Sequence, residues 1–377
     1  MFDNVNSNNN VSFGYCMVQT VAENMEGFTK KQVKRATEAR SAYHMAGAPD
    51  MKTFQLAVRS GLFKNCPLEE RDIVNAEKIY GPSVSAIKGK TKRPTPDAIV
   101  DNWIEIPSEL IARNEEIDLC IDIAFINNFV ALTGRDKQLK ARHLHELANR
   151  TKSQMYSAID KMFRDYNYAG FRVKTIFCDQ EFKPVFEEVK DELGVDMEYT
   201  ATGEHEPTAE RNVQHIKSLF RTQFHRMPFK AIPKVLTKHI AIRVVATSNY
   251  YPQKGGISKY YSPHMILNKE KVDYMKECAV ESGSYVQGYG HETHRNQRTR
   301  TVDAIYCRPD DKSRNGHILF DLHTGKEITR NKVKVLPMTA QVIKMVEDRA
   351  RDEGVTELRT YSRRNGEVKS LFIPLRV

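Results

Sequence analysis

Three carboxylates stand where carboxylates can do chemistry. Asp122 lies in IDLCIDIAFI (residues 117–126), a run otherwise almost wholly apolar: Ile117, Leu119, Cys120, Ile121, Ile123 and Phe125. Such a run implies a strand buried on both faces. An ionised carboxylate there is expensive unless a cation or strong donors meet it. Asp179 closes RVKTIFCD, at the carboxyl end of a second strand, where open sheets present ligands. Glu210 falls in the first turn of a long helix that has Pro207 near its start. Three acidic groups converging on one spot repel one another unless positive charge lies between them, and hard oxygen donors suit Mg²⁺ or Mn²⁺. Two such ions roughly 3.5–4 Å apart activate an attacking oxygen and stabilise the leaving oxygen of a phosphodiester. Asp118 competes with Asp122 for the first place, since residues four apart share one face of a strand. Asp122 is preferred because it sits mid-strand, just before the turn residues Asn127 and Asn128. Asp179 taken alone reads equally well as a helix cap or a lysine partner.

The helix that carries Glu210 has an apolar stripe of Val213, Ile216, Phe220, Phe224 and Met227. Beside it Glu210, Gln214, Lys217 and Arg221 form a polar strip at i, i+4, i+7 and i+11. One carboxylate followed by two cations offers a metal ligand next to phosphate contacts; an ordinary solvated helix face has the same pattern.

The elements that must position these groups follow from periodicity. IDLCIDIAFI, the Asn-Asn turn and FVALTG predict a hairpin, and HLHELANR a third strand. TKSQMYSAIDKMFRDY predicts a helix with Met155, Ile159, Met162, Phe163 and Tyr166 on one face and Thr151 or Ser153 as its N-cap. RVKTIFCD is a strand, FKPVFEEVKDELG a helix, VDMEYTA a strand, and the Glu210 helix follows. The order β-β-β-α-β-α-β-α predicts an α/β fold, a mixed five-stranded sheet with flanking helices. Residues 1–27 read as a polar tail, 28–81 as a helical block, 82–101 as a basic linker and 102–275 as the mixed-sheet core. Residues 283–340 read as a small all-β module and 341–377 as a charged helix with a tail.

Apolar residues make up 40% of the 377 and charged residues 28%, which excludes disorder as a whole-chain description. The net charge of +10 attracts polyanions, nucleic acid above all. No apolar stretch is long enough to span a bilayer, no secretory signal is visible, and a soluble intracellular protein is expected. The six cysteines include no C-x-x-C pair, so no zinc ribbon is expected. His143 and His145 alternate on the third strand, where satisfied core histidines are commoner than metal ligands. Trp103 reads as a packing residue.

In this order the motifs resemble the catalytic core of retroelement integrases: a strand Asp, CDQEF (residues 178–182), then AERNVQHIK (residues 209–217). The sequence is most similar to the integrases of Ty1/copia-type LTR retrotransposons, which carry a D…D…E triad on an RNase-H-like fold. SNYYPQKGGISKYYSPHMIL (residues 248–267) resembles the segment that follows that core. The chain from GSYVQGYG onward resembles the family's small, SH3-like DNA-binding domain. The resemblance covers about residues 100 to 340. It implies Asp122, Asp179 and Glu210 as catalytic carboxylates holding Mg²⁺ or Mn²⁺. It implies Lys217 as a DNA contact; Gln214 and Arg221 on the same helix strip, and Arg295, Arg298, Arg300, Lys332 and Lys334 in the basic C-terminal part, are expected as further nucleic-acid contacts. It further implies double-stranded DNA as partner, a homo-oligomer and a nuclear location. Two features depart from the family. Thirty residues separate Asp179 from Glu210, against about thirty-five in the family motif. The helical block offers only His44 and Cys66 in place of a His-His-Cys-Cys set, so no zinc is expected. A decayed or domesticated DNA-binding derivative, or another RNase-H-like nuclease or transposase, would carry much of the same pattern.

Overall fold

The computed structural model describes residues 18–90, 103–200, 206–290, 299–311, 313, 315–357, 359–361 and 368–370. The first block is helical: α1 (Val21–Glu26), α2 (Lys30–Met45), α3 (Met51–Arg59) and α4 (Glu70–Tyr80). Thr20 and Thr29 open α1 and α2 with reciprocal caps to Glu23 and Gln32. Ala36, Ala39, Tyr43, Phe54, Ile73, Ala76 and Ile79 form its core. Asp72, 2% exposed, is held by Arg35 through Nε at 3.0 Å and Nη2 at 2.7 Å. His44 Nε2 is bonded to Ser83 Oγ at 3.0 Å, and Cys66 is a free thiol.

Two segments differ from the sequence expectation. The stretch read as a polar tail ends in structure: Val18 is buried in the largest core, and the Val21 amide bonds the Met338 carbonyl at 2.9 Å. The stretch read as a linker begins with α5 (Val84–Lys90), whose Lys88 pairs with Asp303. Neighbours distant in sequence supply the partners in both cases, so local composition did not reveal them.

After α6 (Ser108–Ala112) come β1 (Glu116–Ile126), β2 (Phe129–Asp136) and β3 (Arg142–Glu146). Asn127 takes φ +52° at the β1–β2 turn, a left-handed conformation that asparagine tolerates. Then follow α7 (Lys152–Ala169), β4 (Arg172–Cys178) and β5 (Asp196–Tyr199). The sheet order is β3-β2-β1-β4-β5; β2 is antiparallel to both β1 and β3, and β4 and β5 run parallel to β1. Between β4 and β5 the predicted single helix is broken into a 3-10 turn (Gln180–Val185), one turn of α8 (Phe186–Glu188) and a π turn (Val189–Leu193). Pro184 lacks the amide that a continuous helix would need.

The two faces of this sheet are built differently. Leu119, Ile121, Ile123 and Leu132 pack with α7 through Met155, Ile159, Met162 and Tyr166. A Cβ at Gly134 would stand 2.6 Å from Met162 Sδ, so the glycine leaves room for the Met162 side chain against the sheet. The other face takes α9 (Pro207–Phe224) and α10 (Lys234–Ser248). The short helices α11 (Pro263–Asn268) and α12 (Tyr274–Glu277) lead to a second sheet. Its strands are β6 (Tyr285–Tyr289), β7 (Thr301–Pro309), β8 (His317–Asp321), β9 (Glu327–Arg330) and β10 (Val333–Val335), all antiparallel in the order β10-β6-β7-β8-β9. The stretch EITRNKVKVLP (residues 327–337) contributes both β9 and β10. The helix α13 (Ala340–Asp352) buries Val342, Val346 and Ala350.

Candidate functional site

The pairing of β1 with β4 decides where the acids meet. Asp118 lies opposite Thr175, Leu119 opposite Ile176 and Cys120 opposite Phe177. The pairing ends there; continued two residues, it would bring position 122 beside position 179, the residue just past the end of β4. Because side chains alternate along a strand, Asp118, Cys120 and Asp122 share a face with Asp179. That face is the one covered by α9. Asp122 is 6% exposed; its Oδ1 accepts the Ile123 amide at 2.7 Å, and its carbonyl accepts Thr133 Oγ1 at 3.1 Å. Asp118 is engaged elsewhere, by the Gln138 side chain, which accepts its amide at 2.9 Å. It lies four residues, about 13 Å, down the strand from Asp122, so the alignment with Asp179 favours Asp122 as the first carboxylate.

The start of α9 is fixed over this corner by Glu206, which sequence reasoning missed. Glu206 is the N-cap; its carboxylate accepts the Thr208 amide at 3.4 Å and the Cys120 thiol at 3.6 Å. Its amide donates to Asp179 Oδ1 at 3.4 Å. Burial, then the Glu206 charge, pushes the Cys120 thiol up to about 12; burial does the same to Cys178, so neither is a nucleophile. From Glu206, level with Cys120, α9 runs toward the Phe129 end of β2, where Ile216 and Phe220 join Phe129 and Ala131 in one core. Two residues past Glu210, the Asn212 side chain donates to the Gly134 carbonyl at 3.5 Å, which ties this turn of α9 to β2 opposite Ile121. Glu210 is half-buried and accepts Gln214 Nε2 at 3.4 Å.

Two strands supply Asp122 and Asp179, and one helix supplies Glu210, an all-oxygen set that fits hard divalent cations. Ligands that straddle two ions about 3.5–4 Å apart need not touch one another, and these do not form a tight trio. Among the described residues, the only three acidic, histidine or cysteine side chains with ligand atoms all within 4.8 Å are His143, His145 and Asp165.

Cations flank the acids in a register that the sequence did not reveal. Arg142 pairs with Arg135 across β3 and β2, and Arg135 pairs with Cys120 across β2 and β1. The two arginines therefore lie on the acid face, one rung away from Asp122. Arg142 is 6% exposed; burial and the Arg135 charge pull it down to about 10. The Nε atoms of both arginines are buried without a hydrogen-bond partner. Arg142 opens onto a 660 Å³ cavity also lined by His215, Gln223, Arg226, Arg243 and Gln253. Arg226 and Arg243 are already paired with Glu281 and Glu277.

Of the other expected contacts, Gln214 and Arg221 are exposed and Lys217 is half-buried along α9. Arg300, Lys332 and Lys334 are exposed on the second sheet, where the Lys332 carbonyl accepts the Tyr289 amide. Arg295 and Arg298 lie outside the described residues. Trp103, read as a packing residue, is 61% exposed and bridges Glu270 through its backbone.

No family model matches the chain, and no curated protein matches it. Among solved structures, the catalytic core domain of BIV integrase aligns with 40% of this chain and 93% of its own, at 12% identity and a TM-score of 0.29. A superposition that loose carries no argument about this chain. Its class rests on its own architecture, a mixed five-stranded sheet with helices on both faces, joined to an all-antiparallel five-stranded sheet.

Proposed function

We propose that this chain is a DNA strand transferase of the retrotransposon-integrase kind, which trims the 3′ ends of element DNA and joins them to target DNA. What supports this reading is the parallel β1–β4 pairing, which continued two residues would bring Asp122 beside Asp179, with α9 and its Glu210 packed on the same sheet face. Asp122, Asp179 and Glu210 would hold Mg²⁺ or Mn²⁺, which supply an activated attacking oxygen and a stabilised leaving oxygen. The chain's own contribution is position and charge. Strands β1 and β4 fix two carboxylates on a rigid sheet, and the Glu206 cap fixes the helix that carries the third. Arg135 and Arg142 offer guanidinium groups to phosphates one rung away. The polar strip Gln214, Lys217 and Arg221 extends the track along α9, and Arg300, Lys332 and Lys334 add cationic charge on the second sheet. Double-stranded DNA is the partner, with the chain acting as a homo-oligomer in the nucleus.

The test is joining of a labelled duplex end to plasmid in Mg²⁺ or Mn²⁺. Asp122→Asn and Glu210→Gln are expected to lower joining by at least about 100-fold, the scale on which loss of preorganised charge stabilisation acts. Undiminished joining by either variant rules out the assignment.

One observation favours a second reading, an integrase-derived DNA-binding protein without catalysis. Asp179 already accepts the Glu206 amide, and its spacing to Glu210 is short. Salt-sensitive duplex binding with no metal-dependent nicking would select that reading.

A further inference from the structure

Across the sheet from the acids, β3 and α7 bring together three groups that the proposed function does not use. His143 and His145 alternate on β3, so both rings project from the α7 face. Their centroids lie 6.4 Å apart with planes inclined by only 20°. Asp165 reaches them from the last turns of α7, its Oδ2 3.4 Å from His143 Nδ1. Each of the three offers a ligand atom within 4.8 Å of the others.

We propose that His143, His145 and Asp165 form a transition-metal site, with Zn²⁺ as its natural occupant. Two imidazole nitrogens and one carboxylate suit Zn²⁺ rather than the oxygen-seeking Mg²⁺ or Ca²⁺. His143 is 8% exposed, and the Nε2 atoms of both histidines are buried with no hydrogen-bond partner among the described residues. Buried polar atoms without partners are costly, so a pair of plain core histidines leaves this arrangement unexplained, whereas a cation satisfies both. Bonds of about 2.0–2.1 Å around tetrahedral zinc separate its ligands by about 3.4 Å. The Asp165 carboxylate, half exposed on the helix surface, has room to move toward that spacing. Three protein ligands leave a fourth position open. The three groups line an 820 Å³ cavity also lined by Asn249, His264 and Asp273, so water or a small anion has room to complete the shell. This site departs from the expectation that the chain takes no zinc. It is independent of the acidic corner and of the proposed DNA chemistry.

The experiment uses the full chain, freed of metal with a chelator and titrated with Zn²⁺ and, separately, Co²⁺. One equivalent of Zn²⁺ is expected to bind, and Co²⁺ is expected to give the visible bands of a low-coordinate nitrogen-oxygen site. His145→Gln and Asp165→Asn should each weaken that binding by more than about 100-fold, beyond the loss typical of residues behind the ligands. Asp122→Asn and Glu210→Gln should leave it unchanged. Should His145→Gln fail to fold, Asp165→Asn, a surface change on a helix, still decides the question. Less than one equivalent bound by the folded wild type overturns the proposal. So does full binding by Asp165→Asn, or binding lost in Asp122→Asn but kept in His145→Gln.

Discussion

Arg135 and Arg142 are two like charges side by side across β2 and β3, and among the described residues no carboxylate forms an ion pair with either. Burial and mutual repulsion both act against the charged form of Arg142, and a phosphate laid across the pair would relieve both costs. Converting either residue to Gln should lower the slope of log affinity against log salt for duplex DNA by about one, the effect of one lost phosphate contact. Fluorescence anisotropy over a salt series measures it, and an unchanged slope would place the DNA elsewhere. Glu206 is testable in the same way. Glu206→Ala removes an N-cap and should cost about 1 kcal/mol in urea unfolding, whereas Glu206→Gln keeps an acceptor and should cost less. Asp122 could be singled out in the sequence because a carboxylate in an apolar strand stands out by type alone, but nothing local shows how near Asp179 and Glu210 come to it. The arginine pair could not be, since nothing short of the β2–β3 register shows that positions 135 and 142 are neighbours. Asp165 was invisible for the same reason: the histidines announce themselves by alternation, but their third companion lies on a helix whose rotation the sequence leaves open.

Helix α5 shows how an element read as linker becomes part of the fold. Its Lys88 reaches Asp303 on β7, where Tyr285 Oη donates to the same carboxylate at 2.6 Å and His323 lies at 3.2 Å. Burial raises the Asp303 carboxyl, but hydrogen bonds from Lys88, Tyr285 and Gln287 outweigh it and hold the group near 2, below its ordinary 3.8. A carboxyl held low stabilises the fold above its ordinary value and loses that contribution as it protonates. Stability should therefore fall by about 2 kcal/mol as pH drops from near 4 to about 2. Urea titrations across that window measure the loss, and Asp303→Asn should flatten it. Most elements were readable from periodicity: the three-strand start, α7, β4, β5 and α9 stand where their patterns put them. Failures came where one residue breaks a regular pattern, as Pro184 does between β4 and β5. They came also where tertiary partners stabilise a segment whose composition is polar, as at Val18 and α5.

At the scale of the whole molecule, the two sheets share one core. Ile126, Phe129 and Leu144 from the first sheet join Ile216 and Phe220 of α9 and Leu236, Ile240 and Val244 of α10. The same cluster continues through Tyr285, Ile305 and Phe320 of the second sheet to Val342 and Val346 of α13. Sequence blocks that end at 275 and resume at 283 read as separate modules, yet α10 is the common wall of both. Phe320, 1% exposed, tests this. Phe320→Ala should cost about 3–5 kcal/mol, the range for emptying a buried aromatic site. If the core is continuous, the loss appears in α10 as much as in β8, because a shared core opens as one cooperative unit. Amide hydrogen exchange followed by mass spectrometry reads both elements in one experiment. Faster exchange in β8 and α10 together is expected, with α2 and α4 unaffected because Ala36, Ile73 and Ile79 pack in a cluster of their own. Exchange that quickens in β8 while α10 keeps its protection would mean two units that merely touch. The acidic corner, which depends on α9 being pressed onto β1, would then draw no support from the second sheet.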